Sequence, residues 1–308
     1  MKNILLTGGS GLVGSRLKEI LGKKYSVIAP TSDELDITSS AQVISFVTKI
    51  HPDVIVHTAA FTDATPAERQ RGDKTDLCWK VNVEGTRNIS QVANKIGAYL
   101  IYISTGSVFS GTKDNPGPFR EDDEPPRDPS RLSWYGWTKN CAERIILNTS
   151  TSSLFRRVLP NGAIIRISHP VKKEGPGAQR DYIHNLFHLW KQKKLYPLFT
   201  DQFFPITWID DVASVIEKLI KSPRRGIFHV ASPDFVSPYE LIQWIIQSRP
   251  GLDYPIRKAS MDEFLQNVEF SLRFTRFYAI DSWKTQELLK VRFQSWKDMV
   301  DTVLETEQ

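Results

Sequence analysis

The first half of this 308-residue chain alternates short apolar segments with stretches whose apolar residues repeat at helical spacing. The apolar segments are residues 3–7, 25–29, 53–57, 99–104 and 163–167. After the first of them, Val13, Leu17 and Leu21 recur at four-residue steps, which is one face of a helix. Strands that are apolar almost throughout are buried on both faces. The alternation therefore predicts an α/β fold: a doubly wound parallel sheet with helices on both sides.

The second half is less regular, and we expect it to be divided between the sheet domain and a second lobe. Residues 226–230 look like one more strand of the sheet, and residues 181–194 look like a helix. Asp210 or Asp211 is placed to cap another helix. We expect residues 1–170, completed by about 207–232, to form the sheet domain. Residues 171–206 and 233–308 then form a smaller lobe over the carboxyl edge of the sheet.

One helix start in this half has a strong local signature. Ser237 is followed by Pro238 and, three residues on, by Glu240. This is a capping box with proline at the first helical position.

Composition limits the functional classes. Apolar residues make up 40% and charged residues 24%, and no apolar run approaches the roughly 20 residues of a membrane span. The net charge is +5, without a dense basic run interleaved with aromatics, so we expect neither nucleic acid nor membrane as a partner. Cys78 and Cys141 are not in a CxxC motif, and the six histidines have no ligand-like spacing. These features predict a cytoplasmic protein with reduced thiols and no metal site.

Three glycines stand where the first predicted strand passes into the first predicted helix. Gly8, Gly11 and Gly14 are spaced by three residues. A turn without side chains lets a pyrophosphate approach the backbone, and the helix start supplies N–H donors. The context predicts a dinucleotide site; the alternative is a simple glycine turn.

The second strand bears on which nicotinamide cofactor binds. An NAD site usually has a carboxylate at this position, which binds the ribose diol. Here the strand ends in Ala29-Pro30-Thr31-Ser32, and hydroxyls without negative charge tolerate a 2′-phosphate. This favours NADPH. NADH remains an alternative if Asp33 or Glu34 turns into the site.

Tyr135 and Lys139 form a Tyr-x-x-x-Lys pair on a predicted helix, where positions i and i+4 share a face. A lysine ammonium can lower the pKa of a phenol, so that Tyr135 can act as an acid–base group. Lys139 can also hold the nicotinamide ribose. Thr105, at the end of the preceding strand, is placed to orient a substrate carbonyl towards Tyr135; the alternative is a local backbone bond. Ser104 supplies a second hydroxyl at the same strand end.

These motifs together resemble the extended short-chain dehydrogenase/reductases, and most closely the dTDP-4-dehydrorhamnose reductase family. The GxxGxxG spacing is typical of the superfamily. The resemblance runs along most of the chain through ILLTGGSGLVG, ELDITS, HPDVIVHTAAFTDA, VNVEGTRN, YISTGSVFSG, YGWTK, IIRIS and DQFFPITWIDDVA. It implies a Rossmann-type domain with a substrate-binding lobe. It also implies hydride transfer from NADPH or NADH to the C4 ketone of a nucleotide-linked 6-deoxy-4-keto sugar.

The resemblance assigns residues to each part of that site. The cofactor would be held by Gly8, Gly11, Leu12 and Val13 at the pyrophosphate, Asp36 and Ile37 at the adenine, Ala59, Ala60 and Phe61 at the diphosphate and ribose, and Ser104, Tyr135 and Lys139 towards the nicotinamide. The catalytic set would be Thr105, Tyr135 and Lys139. Thr105 and His169 would contact the sugar nucleotide; His169 is alternatively an ordinary wall residue.

Two departures keep other functions open. Gly106-Ser107 stands where the reductases normally carry Asp-Tyr, and the loop between Thr105 and Tyr135 is longer than usual. One alternative is a non-catalytic, dinucleotide-binding regulatory subunit that resembles the β subunit of methionine adenosyltransferase. Another is an epimerase of the extended branch. A homodimer also stays open.

Overall fold

The computed structural model describes residues 1–148, 162–173, 181–248 and 254–306, without the side chains of residues 148 and 306. Its strands are β1 Asn3–Thr7, β2 Ser26–Ile28, β3 Val54–His57, β4 Tyr99–Thr105, β5 Gly162–Ile167, β6 Pro170–Val171, β7 Leu198–Phe199, β8 Thr207–Trp208, β9 Gly226–Val230 and β10 Lys258–Ala259.

The α-helices are α1 Leu12–Gly22, α2 Ser40–Ile50, α3 Ala64–Arg69, α4 Leu77–Trp79, α5 Thr86–Ile96, α6 Trp134–Asn148, α7 Tyr182–Lys191, α8 Ile209–Lys221, α9 Pro238–Gln247, α10 Met261–Asn267, α11 Trp283–Leu289 and α12 Trp296–Thr306. A π-helical segment, Lys80–Gly85, joins α4 to α5. Short 3-10 turns are Gly106–Val108, Pro129–Arg131 and Ser271–Arg273. Among the described residues, no helix is long and apolar enough to cross a membrane.

A six-stranded parallel sheet forms the centre of the larger domain, in the order β2-β1-β3-β4-β5-β9. The order reverses between β1 and β3, which are neighbours although β2 lies between them in sequence. Loops at the carboxyl ends of two such strands diverge and leave a crevice, where ligands of open α/β sheets bind. The predicted α/β, doubly wound fold is confirmed.

Alternation along each strand gives the sheet two apolar faces. On β1, Ile4 and Leu6 pack into one cluster with α1 and α8. Leu5 points the other way, into a cluster with α2, α5 and α6. Burial on both faces explains why β1 reads as a continuous apolar run rather than an alternating one.

A third apolar cluster lies in the chain after the fifth strand. It is built by α7, α9 and α12, with Phe187, Ile242 and Met299 as buried members. The capping box is confirmed: Ser237 Oγ accepts from Glu240 N, and Glu240 Oε2 accepts from Ser237 N. Leu289 and Phe293 instead pack into the sheet cluster that contains Ile4.

The predicted cap of α8 was wrong. The helix begins at Ile209 after Trp208, and both aspartates lie inside its first turn. Arg16 on α1 binds Asp210 through two hydrogen bonds of 2.6 and 2.7 Å, so this carboxylate joins two helices instead of ending one. A carboxylate in a first turn still interacts favourably with the positive end of the helix.

Candidate active site

A cavity of about 1020 Å³ opens at the carboxyl ends of β1 and β3, where the strand order reverses. It extends from the second strand, past the glycine turn, to the catalytic candidates on β4 and α6. The predicted residues that line it are Gly8, Gly11, Leu12, Val13, Asp36, Ile37, Ala59, Ala60, Ser104, Thr105, Tyr135, Lys139 and His169. We call it the dinucleotide cleft.

The three glycines of the turn differ in how much space each leaves for a side chain. Gly8 has a φ of +73°, and a Cβ there would lie 2.6 Å from Ala59 N. A Cβ on Gly14 would lie 2.1 Å from Gly8 O. A Cβ on Gly11 would meet only Gly8 O, at 3.4 Å. Gly8 and Gly14 are therefore required by the turn itself, whereas Gly11 leaves room at the cleft.

Donors for an anion come from the first turn of α1. The N–H of Gly11 already donates to Gly8 O at 3.1 Å and holds the turn closed. The amides of Val13 and Gly14 belong to the helix start, where N–H groups have no acceptor within the helix. The described geometry thus supports an anion site at this turn, at the amides two and three residues after Gly11.

At the far end of the cleft, the structure shows what the side chains of Asp36 and Ile37 do. Asp36 Oδ1 accepts from the backbone N and the hydroxyl of Thr38, at 2.9 and 2.7 Å. Ile37 is buried, and a Cβ on Gly85 would lie 2.7 Å from its Cδ1. Gly85, in the π-helical segment, thus makes space for the aliphatic wall of the predicted adenine site.

A carboxylate does reach the end of the second strand. Glu34 Oε2 accepts from the N and the hydroxyl of Thr31, at 2.8 and 3.1 Å. These bonds lower the pKa of Glu34. Thr31 itself lines the cleft, so the carboxylate lies beside the cleft without being part of its lining.

Phe61 is the predicted cofactor residue that the cleft lining does not include. It packs against a small buried cluster of Ala67, Cys78 and Trp134. Its backbone is held by Asn82, which accepts from Phe61 N at 2.8 Å and donates to Phe61 O at 3.1 Å. The side chain of Phe61 therefore belongs to this apolar cluster, while its backbone is fixed by Asn82.

Tyr135 is the second residue of α6, and Gly136 lets the start of this helix approach the 3-10 turn that follows β4. A Cβ on Gly136 would lie 2.1 Å from Ser107 O. Burial raises the pKa of Tyr135 to about 12, and a hydrogen bond with Thr105 opposes that shift. Tyr135 therefore holds its proton at neutral pH, which is the form a proton donor needs.

Lys139 lies one turn further along α6, and its side chain is 2% exposed. Its Nζ donates to Ile103 O at 2.8 Å and lies 4.1 Å from the ring centre of Tyr102. Burial lowers the pKa of Lys139 to about 7, against an opposing effect of Glu143. The expected lowering of the Tyr135 pKa is not found in this structure, because burial of the phenol outweighs the hydrogen bond with Thr105.

Ser104 is buried and donates to Glu143 Oε1 at 2.5 Å. Glu143 is bound twice by Arg166, at 2.7 and 3.0 Å, and both side chains are almost fully buried. The hydroxyl of Ser104 thus connects the end of β4 to the buried ion pair between Glu143 of α6 and Arg166 of β5. Ser104 also lines the dinucleotide cleft.

A buried carboxylate anchors the start of the catalytic helix. Glu68, on α3, accepts from Trp134 N at 2.5 Å and is bound by Arg71 at 2.8 and 3.0 Å. The helix is therefore capped by a residue from another element. No local sequence signal marks such a cap, and the sequence-based site does not include Glu68.

A second cavity of about 880 Å³ meets the dinucleotide cleft from the side of the smaller lobe. Thr105, Tyr135 and His169 line both. Six further aromatic side chains belong to its wall: Tyr182, Tyr196, Phe199, Phe264, Phe274 and Tyr278. We call it the lobe cavity. A cavity that combines aromatic rings with hydroxyl and other polar groups can hold and orient a small molecule.

His169 stands at the junction of the two cavities with a left-handed backbone, φ 43°. Its ring stacks on Phe204 at 3.9 Å and meets Tyr182 edge-on at 4.9 Å. Burial lowers the pKa of His169 to about 4, so the imidazole is neutral at neutral pH. It can offer a hydrogen bond without adding charge.

Gly106, which stands where the resembled reductases carry aspartate, is enclosed by the segment 278–280. A Cβ on Gly106 would lie 3.2 Å from Tyr278 O and 3.4 Å from a methyl of Ile280. The Cβ of an aspartate here would require Tyr278 and Ile280 to shift by a few tenths of an ångström. Thr105 Oγ1 accepts from Ser107 N at 3.1 Å, so its local bond and its place in the wall coexist.

Comparison with known proteins decides the family. The profile described as the RmlD substrate binding domain matches residues 1–308. The chain belongs to this family. A dTDP-4-dehydrorhamnose reductase of Streptomyces griseus is 32% identical over 235 residues, which cover 74% of this chain and 70% of the relative. Methionine adenosyltransferase 2 subunit beta of Xenopus tropicalis is 29% identical over 262 residues, with 78% and 70% covered.

A solved structure resembles this chain over almost its whole length. The dTDP-4-dehydrorhamnose reductase of Bacillus anthracis, in complex with NADP, has a TM-score of 0.81 and 25% identity, and 99% of each chain is covered. The predicted family, the oxidoreductase class and the nicotinamide dinucleotide cofactor are confirmed at the level of the family. The roles of individual residues and the domain bounds stay predictions.

Proposed function

We propose that this protein is a reductase of a nucleotide-linked 4-keto-6-deoxy sugar that uses NADPH and also accepts NADH. The observation that carries this proposal is the junction: Thr105 and Tyr135 line both the dinucleotide cleft and the lobe cavity. Side chains at this junction can contact both the nicotinamide end of the cofactor and the sugar end of the substrate. The names of the reductase relatives in this family support the substrate class.

The reaction needs a hydride on carbon and a proton on oxygen. Bound NADPH supplies the hydride. Tyr135, whose pKa burial raises to about 12, donates its phenolic proton to the carbonyl oxygen as the C=O bond becomes CH–OH. Thr105 orients that oxygen, and solvent returns the proton to Tyr135 afterwards. Lys139 holds the nicotinamide ribose, and its bond to Ile103 O fixes it against β4.

The site residues divide between the two ligands. Gly8, Gly11, Leu12 and Val13 border the pyrophosphate, Asp36 and Ile37 the adenine, and Ala59 and Ala60 the ribose and diphosphate. His169 borders the sugar. Phe61 supports this wall through its backbone bonds to Asn82. We keep a cytoplasmic location, a homodimer and the stated domain bounds as expectations.

A regulatory dinucleotide-binding subunit is the second candidate, and its support is the methionine adenosyltransferase relative together with Gly106. One assay separates the two. NADPH and NADH oxidation is measured against 4-keto-6-deoxy sugars linked to different nucleotides. The reductase proposal expects turnover with at least one sugar. Tight NADPH binding without oxidation of any sugar contradicts it and favours the regulatory role. An epimerase would retain NAD through purification, which absorbance detects.

A further inference from the structure

Glu143 of α6 joins the catalytic helix to the sheet through a buried ion pair. Ser104, Arg166 and His229 are in register on the neighbouring strands β4, β5 and β9. Side chains of residues paired in this way project from the same face of a sheet. Glu143 reaches that face: it accepts from the Ser104 hydroxyl at 2.5 Å and from Arg166 at 2.7 and 3.0 Å. The helix is thus bound directly to β4 and β5.

Arg166 is itself held from several sides. Its Nε and one terminal nitrogen bind the two carboxylate oxygens of Glu143, and the other terminal nitrogen lies 3.3 Å from His229 Nε2. His229 Nδ1 donates to Asp281 O at 2.9 Å, so Nε2 is the acceptor for Arg166. Cζ of Arg166 lies 4.8 Å from the ring centre of Phe109. A guanidinium with so many partners fixes the carboxylate of Glu143 in one place.

This arrangement separates Glu143 from Lys139. The two residues are four apart on α6, a spacing at which opposite charges attract each other. Within the described structure no hydrogen bond or ion pair joins them, because Arg166 and Ser104 occupy the carboxylate. Lys139 Nζ donates to Ile103 O instead, and Lys139 lines the dinucleotide cleft. An ammonium has three N–H donors, so Lys139 keeps donors for a ligand.

We propose that Arg166 and Glu143 are positioning residues of the cofactor site, in which Arg166 holds Glu143 against β5 and so leaves the ammonium of Lys139 to bind the cofactor ribose. This rests on the assignment of Lys139 to the nicotinamide ribose in the proposed function. A carboxylate released by Arg166 would bind Lys139 and take donors from the ribose. Removal of the carboxylate has the opposite effect on the charge. Burial lowers the pKa of Lys139 to about 7, and Glu143 opposes this shift.

Four further titratable side chains lie around Lys139 and the ion pair. Burial lowers the pKa of His57 on β3 to about 3, and it lowers the pKa of His229 well below the ordinary value. Burial raises the pKa of Tyr135 to about 12, and it raises the pKa of Tyr102 on β4 well above the ordinary value. All four are therefore uncharged near neutral pH. A change in the titration of Lys139 then reports on the ion pair.

Two substitutions and their combination test the proposal. Arg166→Lys keeps the cation but has one nitrogen in place of the planar fork, so it cannot hold both oxygens of Glu143. Glu143→Gln keeps the shape of the side chain and removes its charge. The double variant has no carboxylate that Lys139 could bind. NADPH affinity is measured by titration at several pH values without sugar. NMR of isotope-labelled lysine gives the pKa of Lys139, and Lys139→Met identifies its signal.

The two single variants should differ in direction. Arg166→Lys should raise the pKa of Lys139 and weaken NADPH binding by roughly tenfold already at low pH, as for one lost hydrogen bond to a charged group. Glu143→Gln should lower the pKa of Lys139. Since the ammonium is the binding form, its NADPH affinity should match wild type at low pH and fall below it near pH 7. The double variant should behave like Glu143→Gln, because Arg166 acts through Glu143.

A matched control makes the same substitution elsewhere. Arg276 is also bound by two carboxylates, those of Asp201 and Asp262, and lies outside the lining of the dinucleotide cleft. Arg276→Lys should change neither the pKa of Lys139 nor the NADPH affinity. Thermal melting shows which variants are folded. If Arg166→Lys does not fold, Glu143→Gln alone decides: an unchanged or raised pKa of Lys139 overturns the proposal.

Three other results would also overturn it. These are pKa shifts of Lys139 in the same direction in both single variants, a further loss of affinity in the double variant, and lower thermal stability of Arg166→Lys with wild-type affinity and pKa. Wild-type NADPH affinity in Lys139→Met would remove Lys139 from the ribose site, and the proposal with it. Failure of the reductase assignment is distinct. If wild type reduces no keto sugar but the opposite shifts occur, that assignment falls and the positioning role stands.

Discussion

The two cavities are shaped by different parts of the chain. Backbone forms the narrow part of the dinucleotide cleft, where Gly8 and Gly14 let a strand end, a helix start and a neighbouring loop approach each other. Side chains form the lobe cavity, with aromatic rings from several short elements. Backbone shape suits a group common to many enzymes, such as a pyrophosphate. Side chains can change without altering the fold, so they suit the part that selects a substrate.

The junction between the cavities is where both requirements meet. Tyr135 depends on backbone contact through Gly136 and on anchoring by Glu68 at the start of its helix. Substitutions at the junction, in the dinucleotide cleft and in the lobe cavity should therefore have separate effects, on the reaction rate, on cofactor affinity and on substrate selectivity respectively. A substitution in one region that changed the quantity assigned to another would contradict this comparison.

The largest effect is expected at the junction. Tyr135→Phe keeps the ring but removes the proton donor, so the rate of sugar reduction should fall by roughly 100- to 10,000-fold. Affinity for NADPH and for dTDP should stay near the wild-type values. Single-turnover kinetics and titration measure both. Near-wild-type turnover would remove Tyr135 from the mechanism.

The next effect separates cleft shape from cleft binding. Gly11→Asp places a carboxylate at the predicted pyrophosphate, and NADPH affinity should fall about 100-fold or more through like-charge repulsion. Because a Cβ on Gly11 meets only Gly8 O at 3.4 Å, the variant should fold and bind dTDP normally. Gly14→Ala is the contrasting variant: its Cβ would lie 2.1 Å from Gly8 O, so thermal stability should drop as well. Unchanged NADPH affinity in Gly11→Asp would mean that the glycines serve only the turn.

A smaller effect is expected at the 2′ position of the cofactor. Thr31 lines the cleft and lies beside the carboxylate of Glu34. Thr31→Asp adds a charge that repels a 2′-phosphate and can bind a ribose diol, so the ratio of NADPH to NADH affinity should drop by about tenfold. Thr31→Asn, which is similar in size and uncharged, is the control. An equal loss for both cofactors would place the adenosine elsewhere.

The cleft was predictable from sequence because its parts are local. A strand, three glycines and a helix follow one another, and Tyr135 and Lys139 are one helical turn apart. The pKa of Tyr135 was not predictable, since it depends on how deeply the folded chain buries the phenol. Phe61 shows a further limit, because its side chain belongs to an apolar cluster assembled from distant segments.

Apart from Thr105, Tyr135 and His169, the lobe cavity had almost no sequence signal. Its walls come from segments separated by long stretches of chain, including Tyr182, Phe199, Phe264 and Arg273. The same holds for α8, where Asp210 lies next to Arg16, almost two hundred residues away, and so does not cap its own helix. Contacts between distant residues decide these roles, and local spacing does not encode them.

Transfer of deuterium tests the central claim, that a hydride passes across the junction between the two cavities. The protein is incubated with NADPH deuterated at the transferable position of the nicotinamide and with a nucleotide-linked 4-keto-6-deoxy sugar, and the product is analysed by mass spectrometry and NMR. The account predicts one deuterium at C4 of the sugar for each NADPH oxidised, and none with Tyr135→Phe on the same timescale. Binding of both ligands by wild type without deuterium in the sugar would contradict it.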